Sequence, residues 1–211
     1  MQTKCYSSFQ KGRRWMDWRE ELSEFIKEYR EIRTQNKMGH LVEEAFKAIP
    51  SFQEKLIFLI DKQTQKQKQV IEGKIKFIFL CRTLSSDYTG SYESILGMSD
   101  DMLYLDEKKS QVFWHPVLFD RGIDEDLRTA EKILRKNFLR LEEYELFYIK
   151  RQLLSDDWEL FMKCFQIMSE QSVSLIRNSG LRLEDELSFL YGNYMDNLKI
   201  IWHSERGESD G

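Results

Sequence analysis

The side chains best suited to catalysis lie in the middle of the chain, between residues 85 and 116. His115 is the only one of the three histidines in this segment, and the adjacent Asp100 and Asp101 precede it. An imidazole can act as a general base or a metal ligand, and converging carboxylates can hold a divalent cation. If these groups met in the folded chain, they would support a metal-dependent hydrolase centred on His115. We keep this function as one hypothesis, although a structural role for His115 is the simpler interpretation.

No motif with a defined catalytic mechanism accompanies these residues. The sequence contains no HExxH, GxSxG, GxxxxGK[ST] or GxGxxG pattern, which would position zinc, a nucleophilic serine or a phosphate. The acidic clusters have a structural explanation, because negative charge near a helix N-terminus complements the helix dipole. We therefore lean towards a non-catalytic protein and expect no cofactor and no metal. Four of the five clusters fall near predicted helix starts: 100–101, 124–126, 142–143, 156–157 and 184–186.

A second group of residues has the chemistry of a surface that binds another macromolecule. Exposed aromatic side chains and arginines are enriched in protein interfaces, and lysines add charge complementarity. Most aromatic stripes are core, so only an exposed set would bind a partner. The candidate partner-binding residues are Trp15, Trp18, Arg13, Arg14, Trp114, Lys108 and Lys109.

A third hypothesis is a nucleic-acid-associated factor. The segment 63–69 reads QTQKQKQ, and Arg13 with Arg14 adds positive charge near the N-terminus. The whole chain has a net charge of -4 and a pI of about 5.6, which opposes general attraction to phosphates. We interpret the Gln/Lys tract as a turn of a long helix that is solvated all round, and nucleic acid as an unlikely partner.

Composition favours long helices and a reducing compartment. The 211 residues include two prolines and ten glycines, and both residue types interrupt helices. Cys5, Cys81 and Cys164 are far apart and form no CxxC pair, which argues against a disulfide framework or a zinc knuckle. The basic N-terminus lacks the apolar stretch of a signal peptide, and no apolar run is long enough to span a membrane. We predict a cytoplasmic protein without a membrane segment.

The first half of the chain shows helical spacing of apolar residues. It predicts a helix over 15–32 that ends near 36–39, and a shorter helix over 41–49 that Pro50 terminates. Ser51 and the glutamate three residues later predict a capping box that starts a further helix.

The pattern becomes ambiguous and then changes at the central segment. Residues 70–84 are rich in Ile and Phe and fit a helix or a strand; we favour a helix, since no turn signal precedes them. Short aromatic and β-branched runs between Gly, Ser and Asp then predict three antiparallel strands, at 92–98, 102–105 and 111–114.

The second half again predicts helices, and the last is the clearest. In that last helix Leu183, Leu187, Leu190, Tyr194, Leu198 and Ile201 follow a 4-3-4-4-3 spacing. An N-cap signature at Ser155, Asp156 and Asp157 separates the predicted helices over 142–154 and 158–178. The predicted helices cover 124–141, 142–154, 158–178 and 183–201.

These elements predict a mainly α (α+β) fold. It is a multi-helix bundle with a small antiparallel β-hairpin or three-stranded insert near residues 92–114. A single helical domain over 13–204 carries this insert at 85–116, with a flexible arm at 1–12 and a flexible tail at 205–211. We predict a non-catalytic cytoplasmic module, regulatory or adaptor in kind, that binds a protein partner or associates with itself.

Overall fold

Six α-helices and five strands form the part of the chain that the structure describes. The structure is a computed structural model, and it describes residues 18–69, 73–106, 109–116, 122–138 and 141–205. The predicted arm and all of the predicted tail except Glu205 lie outside these ranges. The elements are α1 (Trp18–Gly39), α2 (Leu41–Lys68), β1 (Ile75–Arg82), α3 (Leu84–Thr89), β2 (Ser94–Ser99), β3 (Ser110–Trp114), α4 (Ile123–Asn137), α5 (Glu143–Glu170), α6 (Val173–Arg177), β4 (Leu183–Asn193) and β5 (Leu198–Glu205).

The strands form one five-stranded mixed sheet, so the prediction of a helical bundle with a small insert near 92–114 is wrong. The strand order is β3-β2-β1-β4-β5. β1 runs antiparallel to β2 and parallel to β4, while β4 and β5 form a hairpin. The sheet is therefore the framework of an α+β fold, and three of its five strands lie outside the predicted insert.

The central strand β1 was predicted as helix because it is buried on both faces. Ile78 and Leu80 point into the main core, while Phe79 and Cys81 contribute to a separate apolar cluster on the other face. A strand buried on both sides shows a continuous apolar run instead of alternation, and periodicity cannot distinguish such a run from a short buried helix.

The helix predicted over 183–201 is also wrong. This segment forms β4 and the start of β5, and the helix-like spacing of its apolar residues arises by chance from the two strands. Leu187 and Phe189 face the main core, whereas Leu190 lies on the opposite face of the sheet. The hairpin turn depends on Gly192, because a Cβ there would lie 1.8 Å from the carbonyl oxygen of Asn197. This close backbone approach is the usual structural use of a glycine in a turn.

Within the predicted insert, two of the three strands are present. β2 and β3 pair antiparallel, near the predicted runs at 92–98 and 111–114. The strand predicted over 102–105 is instead a short 3-10 turn at Leu103–Leu105. Local hydrogen bonds stabilise the turn, since the Met102 amide donates to Asp100 and the Ser99 hydroxyl donates to the Leu103 carbonyl.

Two predicted helix boundaries do not exist. α2 continues through Pro50, and the Ser51 hydroxyl donates to the Ala48 carbonyl instead of starting a capping box. α5 likewise runs uninterrupted past Asp157. In both helices an amphipathic face packs on the sheet, and tertiary packing of this kind overrides local stop signals. The capping box of α5 is formed by Glu142 and Glu145 at its true start.

The main core lies between the sheet and the two long helices α2 and α5. Phe52 of α2 packs edge-on against Phe165 of α5 with ring centroids 5.6 Å apart, and Phe165 packs against Phe189 of β4 at 6.1 Å. α1 and α4 pack on α5 in a second apolar cluster that includes Leu22, Ile26, Ile149 and Leu153. α5 therefore joins the two cores. No helix in the described ranges is long and apolar enough to cross a membrane.

The Gln/Lys tract is a structural clamp, which corrects its interpretation as a turn solvated all round. Gln63 and Gln67 are buried on the inner face of α2. The Gln67 side-chain amide donates to the carbonyls of Gly73 at 2.8 Å and Arg182 at 2.9 Å, and its oxygen accepts from the Arg182 amide at 2.8 Å. The end of α2 is thereby tied to the starts of β1 and β4.

We expect Gln67→Ala to lower the free energy of unfolding by about 2–3 kcal/mol, since three hydrogen bonds of about 1 kcal/mol each are lost. Urea unfolding measures this difference. Gln65→Ala, at an exposed position of the same tract, is the matched control and should change stability by less than about 0.5 kcal/mol. Equal effects of the two substitutions would show that the clamp does not contribute.

Candidate functional site

A buried cluster of four charges joins α1, α4 and α5. Arg33 and Lys37 lie one turn apart on α1 and face Asp126 of α4 and Asp157 of α5. Arg33 is 2.8 Å from Asp126 and 2.5 Å from Asp157. Lys37 is 3.0 Å from Asp126 and 2.9 Å from Asp157. Two cations and two carboxylates therefore cancel in charge within the protein interior.

Tyr92, in the loop before β2, also contacts the cluster. Its hydroxyl donates to Asp157, and its ring packs edge-on against Trp158 with centroids 5.8 Å apart. The residue adopts a φ of 54°, a left-handed conformation that bulky residues rarely adopt. The backbone strain is maintained because the side chain is held by both contacts.

The charges of the cluster are largely buried and pair with one another. Burial opposes the charge on Arg33, but Asp157 and Asp126 outweigh this effect and hold the pKa of its guanidinium above the ordinary value. The Asp157 side chain is 1% exposed, so a substrate cannot reach it. The cluster therefore holds α1, α4 and α5 together.

An accessible groove lies between α1 and α5 in the part of the chain that the structure describes. Its volume is about 740 Å³. The buried side chains of Leu22 and Ile26 contribute to its apolar floor, beside three exposed aromatic residues of α5. We call this feature the α1–α5 groove; its lining residues are Leu22, Ser23, Ile26, Lys27, Arg30, Tyr144, Glu145, Phe147, Tyr148, Arg151 and Gln152.

The aromatic side of the groove is unusually open to solvent. Tyr144, Phe147 and Tyr148 are 64%, 42% and 60% exposed, and the Phe147 ring lies 6.2 Å from that of Tyr88 of α3. All three lie within the helix predicted over 142–154, whose sequence does not show which of its apolar residues face the core. The buried positions of this part of α5 are Glu145, Ile149 and Leu153 and their neighbours, and a helix rich in apolar residues on several sides gives no signal of which side is core.

The structure does not bring the proposed catalytic residues together. His115 is exposed after the end of β3, Asp101 is exposed, and the Asp100 carboxylate accepts from the Met102 amide at 2.8 Å. Among the described residues, no group of three or more His, Cys, Asp and Glu side chains is placed to hold a metal ion. The hydrolase hypothesis therefore gains no support from this geometry.

The predicted partner-binding residues have different surroundings. Trp114 is only 2% exposed and packs on Phe52 in the main core, whereas the Lys109 ammonium donates to the Asp106 carbonyl at 3.0 Å. Trp18 is the first residue of α1. The remaining candidates lie outside the described residues: Arg13, Arg14, Trp15 and Lys108.

β4 and β5 are joined by a polar pair that the sequence did not predict. Ser188 of β4 and His203 of β5 face each other across the hairpin, with 2.9 Å between the hydroxyl oxygen and Nδ1. The predicted helix over 183–201 concealed this pairing, because only the strand register places the two residues opposite each other. The contact is a cross-strand hydrogen bond between a buried serine and an exposed histidine.

Comparisons of this chain with protein-family models, with curated proteins and with solved structures found no match.

We expect Arg33→Met to lower the free energy of unfolding by about 3–5 kcal/mol, because it leaves two buried carboxylates with one cation. Arg30→Met is the control: this arginine pairs with Asp156 on the same two helices, but its side chain is 31% exposed, and exposed pairs contribute about 0–1 kcal/mol. Urea unfolding of both variants at neutral pH measures the difference. Losses of similar size would contradict the special role of the buried cluster.

We also expect stability to fall as the pH rises above about 9. Burial, followed by the charge of Asp157, raises the pKa of Tyr92, so the unfolded chain releases this proton first. The stabilisation from the protonated phenol is fully present below about pH 10. Above that pH the free energy of unfolding falls by up to about 1.4 kcal/mol per pH unit for each such group. Burial likewise raises the pKa of the Cys81 and Cys164 thiols to about 12, which adds a loss that begins near their ordinary value of 9.0.

Tyr92→Phe should reduce the slope of the free energy of unfolding against pH, at alkaline pH, by the equivalent of about one proton. Urea unfolding at several pH values between about 9 and 11 measures the slope. Tyr88→Phe removes a phenol that is 71% exposed and is the matched control for the substitution, so the slope should change less than in Tyr92→Phe. If Tyr92→Phe has the same slope as the wild type, its phenol titrates alike in the folded and unfolded chains.

Proposed function

We propose that this protein is a non-catalytic protein-binding module, regulatory or adaptor in kind, that binds its partner in the α1–α5 groove. The observation that carries this proposal is the exposure of Tyr144, Phe147 and Tyr148 along one face of α5. Clustered exposed aromatic residues mark interaction sites more often than single ones. Tyrosine is also among the residues that dominate the binding energy of interfaces.

The composition of the groove matches that of a protein interface. Its floor is apolar at Leu22 and Ile26, while its rim carries polar and charged groups such as Lys27 and Arg151. An apolar centre with a polar rim is the usual anatomy of such surfaces. A groove between two helices also suits the common mode in which an amphipathic helix places its apolar face between helices of the receptor.

We further propose a reducing, cytoplasmic location. Two buried thiols support this proposal, since Cys81 and Cys164 are both free. Disulfides form and persist in oxidising compartments and are rare in the cytosol.

The test is a selection of random peptides of about 12 residues against the full-length protein, followed by measurement of Kd by fluorescence anisotropy. We expect enriched peptides to bind Tyr144→Ala/Tyr148→Ala at least about tenfold more weakly than the wild type, since truncating an aromatic anchor removes about 1.4 kcal/mol or more. Both tyrosines are largely exposed, so the variant should fold.

The matched control is Val42→Ala/Phe46→Ala, which truncates two exposed apolar residues at the same spacing on α2. Its Kd should stay within about twofold of the wild type, well under the 1.4 kcal/mol of a tenfold change. Failure to enrich any peptide, or peptides that bind both variants equally well, would contradict the proposed function.

A further inference from the structure

The α1–α5 groove has a charge that defines the chemistry of its occupant. Resting on the function proposed above, we infer that the groove binds an acidic amphipathic helix of two to three turns from another protein. The apolar side of that helix would lie on the groove floor, and its carboxylates would meet the basic residues of the rim.

Three basic side chains surround the groove, and two of them have no ion-pair partner in the part of the chain that the structure describes. Arg30 pairs with Asp156 at 2.6 Å. Lys27 of α1 and Arg151 of α5 are exposed, and neither is in contact with a carboxylate within the described ranges. Both are therefore available to carboxylates of a bound chain, and arginine can bind one with two parallel hydrogen bonds.

The one acidic residue of the lining offsets only one of the two unpaired positive charges. Glu145 is buried, and its carboxylate accepts the Glu142 backbone amide at 2.9 Å within the capping box of α5. The groove is thus locally basic in a protein whose net charge is -4. A local field opposite in sign to the net charge selects partners by charge and speeds their association.

The dimensions of the groove suit a short helix. Its α5 side extends from Tyr144 to Gln152, which corresponds to about 12 Å at a rise of 1.5 Å per residue. Two to three helical turns of a partner cover this length. The aromatic and basic groups lie on opposite walls over part of it, so a helix with one apolar stripe and flanking acidic residues satisfies both.

Two other occupants fit less well. The residues that precede α1, 1–17, contain four basic residues and one acidic residue, so this part of the chain has the same sign of charge as the rim. A single-stranded nucleic acid could stack on the aromatic residues, but it would leave the apolar floor at Leu22 and Ile26 without an apolar partner. The experiment distinguishes both of these occupants from an acidic helix.

The experiment uses three fluorescent peptides of about 12 residues with the same apolar stripe at i, i+3, i+4 and i+7. Their flanking positions carry Glu, Gln or Lys, and a single-stranded oligothymidine of about 12 nucleotides is the fourth probe. We expect the Glu peptide to bind the full-length protein at least about tenfold more tightly than the Gln peptide, and the Lys peptide to bind more weakly still. The preference should shrink as salt is raised from about 0.05 to about 0.5 M.

The variant Lys27→Glu/Arg151→Glu should lose the preference for the Glu peptide and bind the Lys peptide instead. Its matched control is Lys132→Glu/Lys163→Glu, which reverses two exposed charges on α4 and α5 outside the groove lining and should keep the preference for the Glu peptide. Circular dichroism of both variants confirms that they fold.

The possible failures separate the inference from the proposed function. Tighter binding of the Gln or Lys peptide that still depends on Tyr144 and Tyr148 would overturn the acidic partner and leave the binding function standing. Binding of oligothymidine more tightly than every peptide would overturn it in favour of nucleic acid. If neither selected nor designed peptides depend on the groove tyrosines, both proposals fail.

Discussion

The contact between Arg33 and Asp157 determines how the helices of this protein are arranged. It joins α1 to α5, and Lys37, Asp126 and Tyr92 extend it to α4 and to the loop before β2. A buried ion pair adds little net stability over an apolar contact of the same size, but loss of one partner is costly. α1 can therefore pack only where its two cations meet both carboxylates, and this position of α1 beside α5 also forms the groove.

α5 connects the main core, the charge cluster and the α1–α5 groove. One side packs Phe161 and Phe165 on the sheet, a second carries Asp157 into the charge cluster, and a third presents Tyr144 and Tyr148 to solvent. Since the same helix is packed from two sides, the backbone that carries its exposed aromatic residues is fixed in position. A fixed backbone limits the conformational entropy that is lost when a partner binds, which is consistent with the proposed function.

Some elements of the fold follow from local sequence, and others do not. α1 and α4 each have one apolar stripe and were predicted close to their observed bounds. β2 and β3 were predicted near their observed positions, but a strand over 102–105 was expected between them, and they pair directly instead. β1 and the hairpin of β4 and β5 were predicted as helices, because residues such as Phe79 and Leu190 are buried on the second face of the sheet. Burial on both faces removes the alternation that identifies a strand. Of the site, neither the exposure of the aromatic residues of α5 nor the basic residues of its rim were predicted from the sequence.

The sequence by itself determined that α1 and α4 are amphipathic, that a turn follows β2, and that the chain contains none of the HExxH, GxSxG, GxxxxGK[ST] and GxGxxG patterns. These are local properties, readable from residue types within one or two helical turns. The tertiary structure alone decided the sheet order, the burial of Gln67, the meeting of Arg33 with Asp157 across 124 positions of the chain, and the exposure of Tyr148. Each of these depends on contacts between residues far apart in sequence, where a small difference in packing free energy outweighs any local preference.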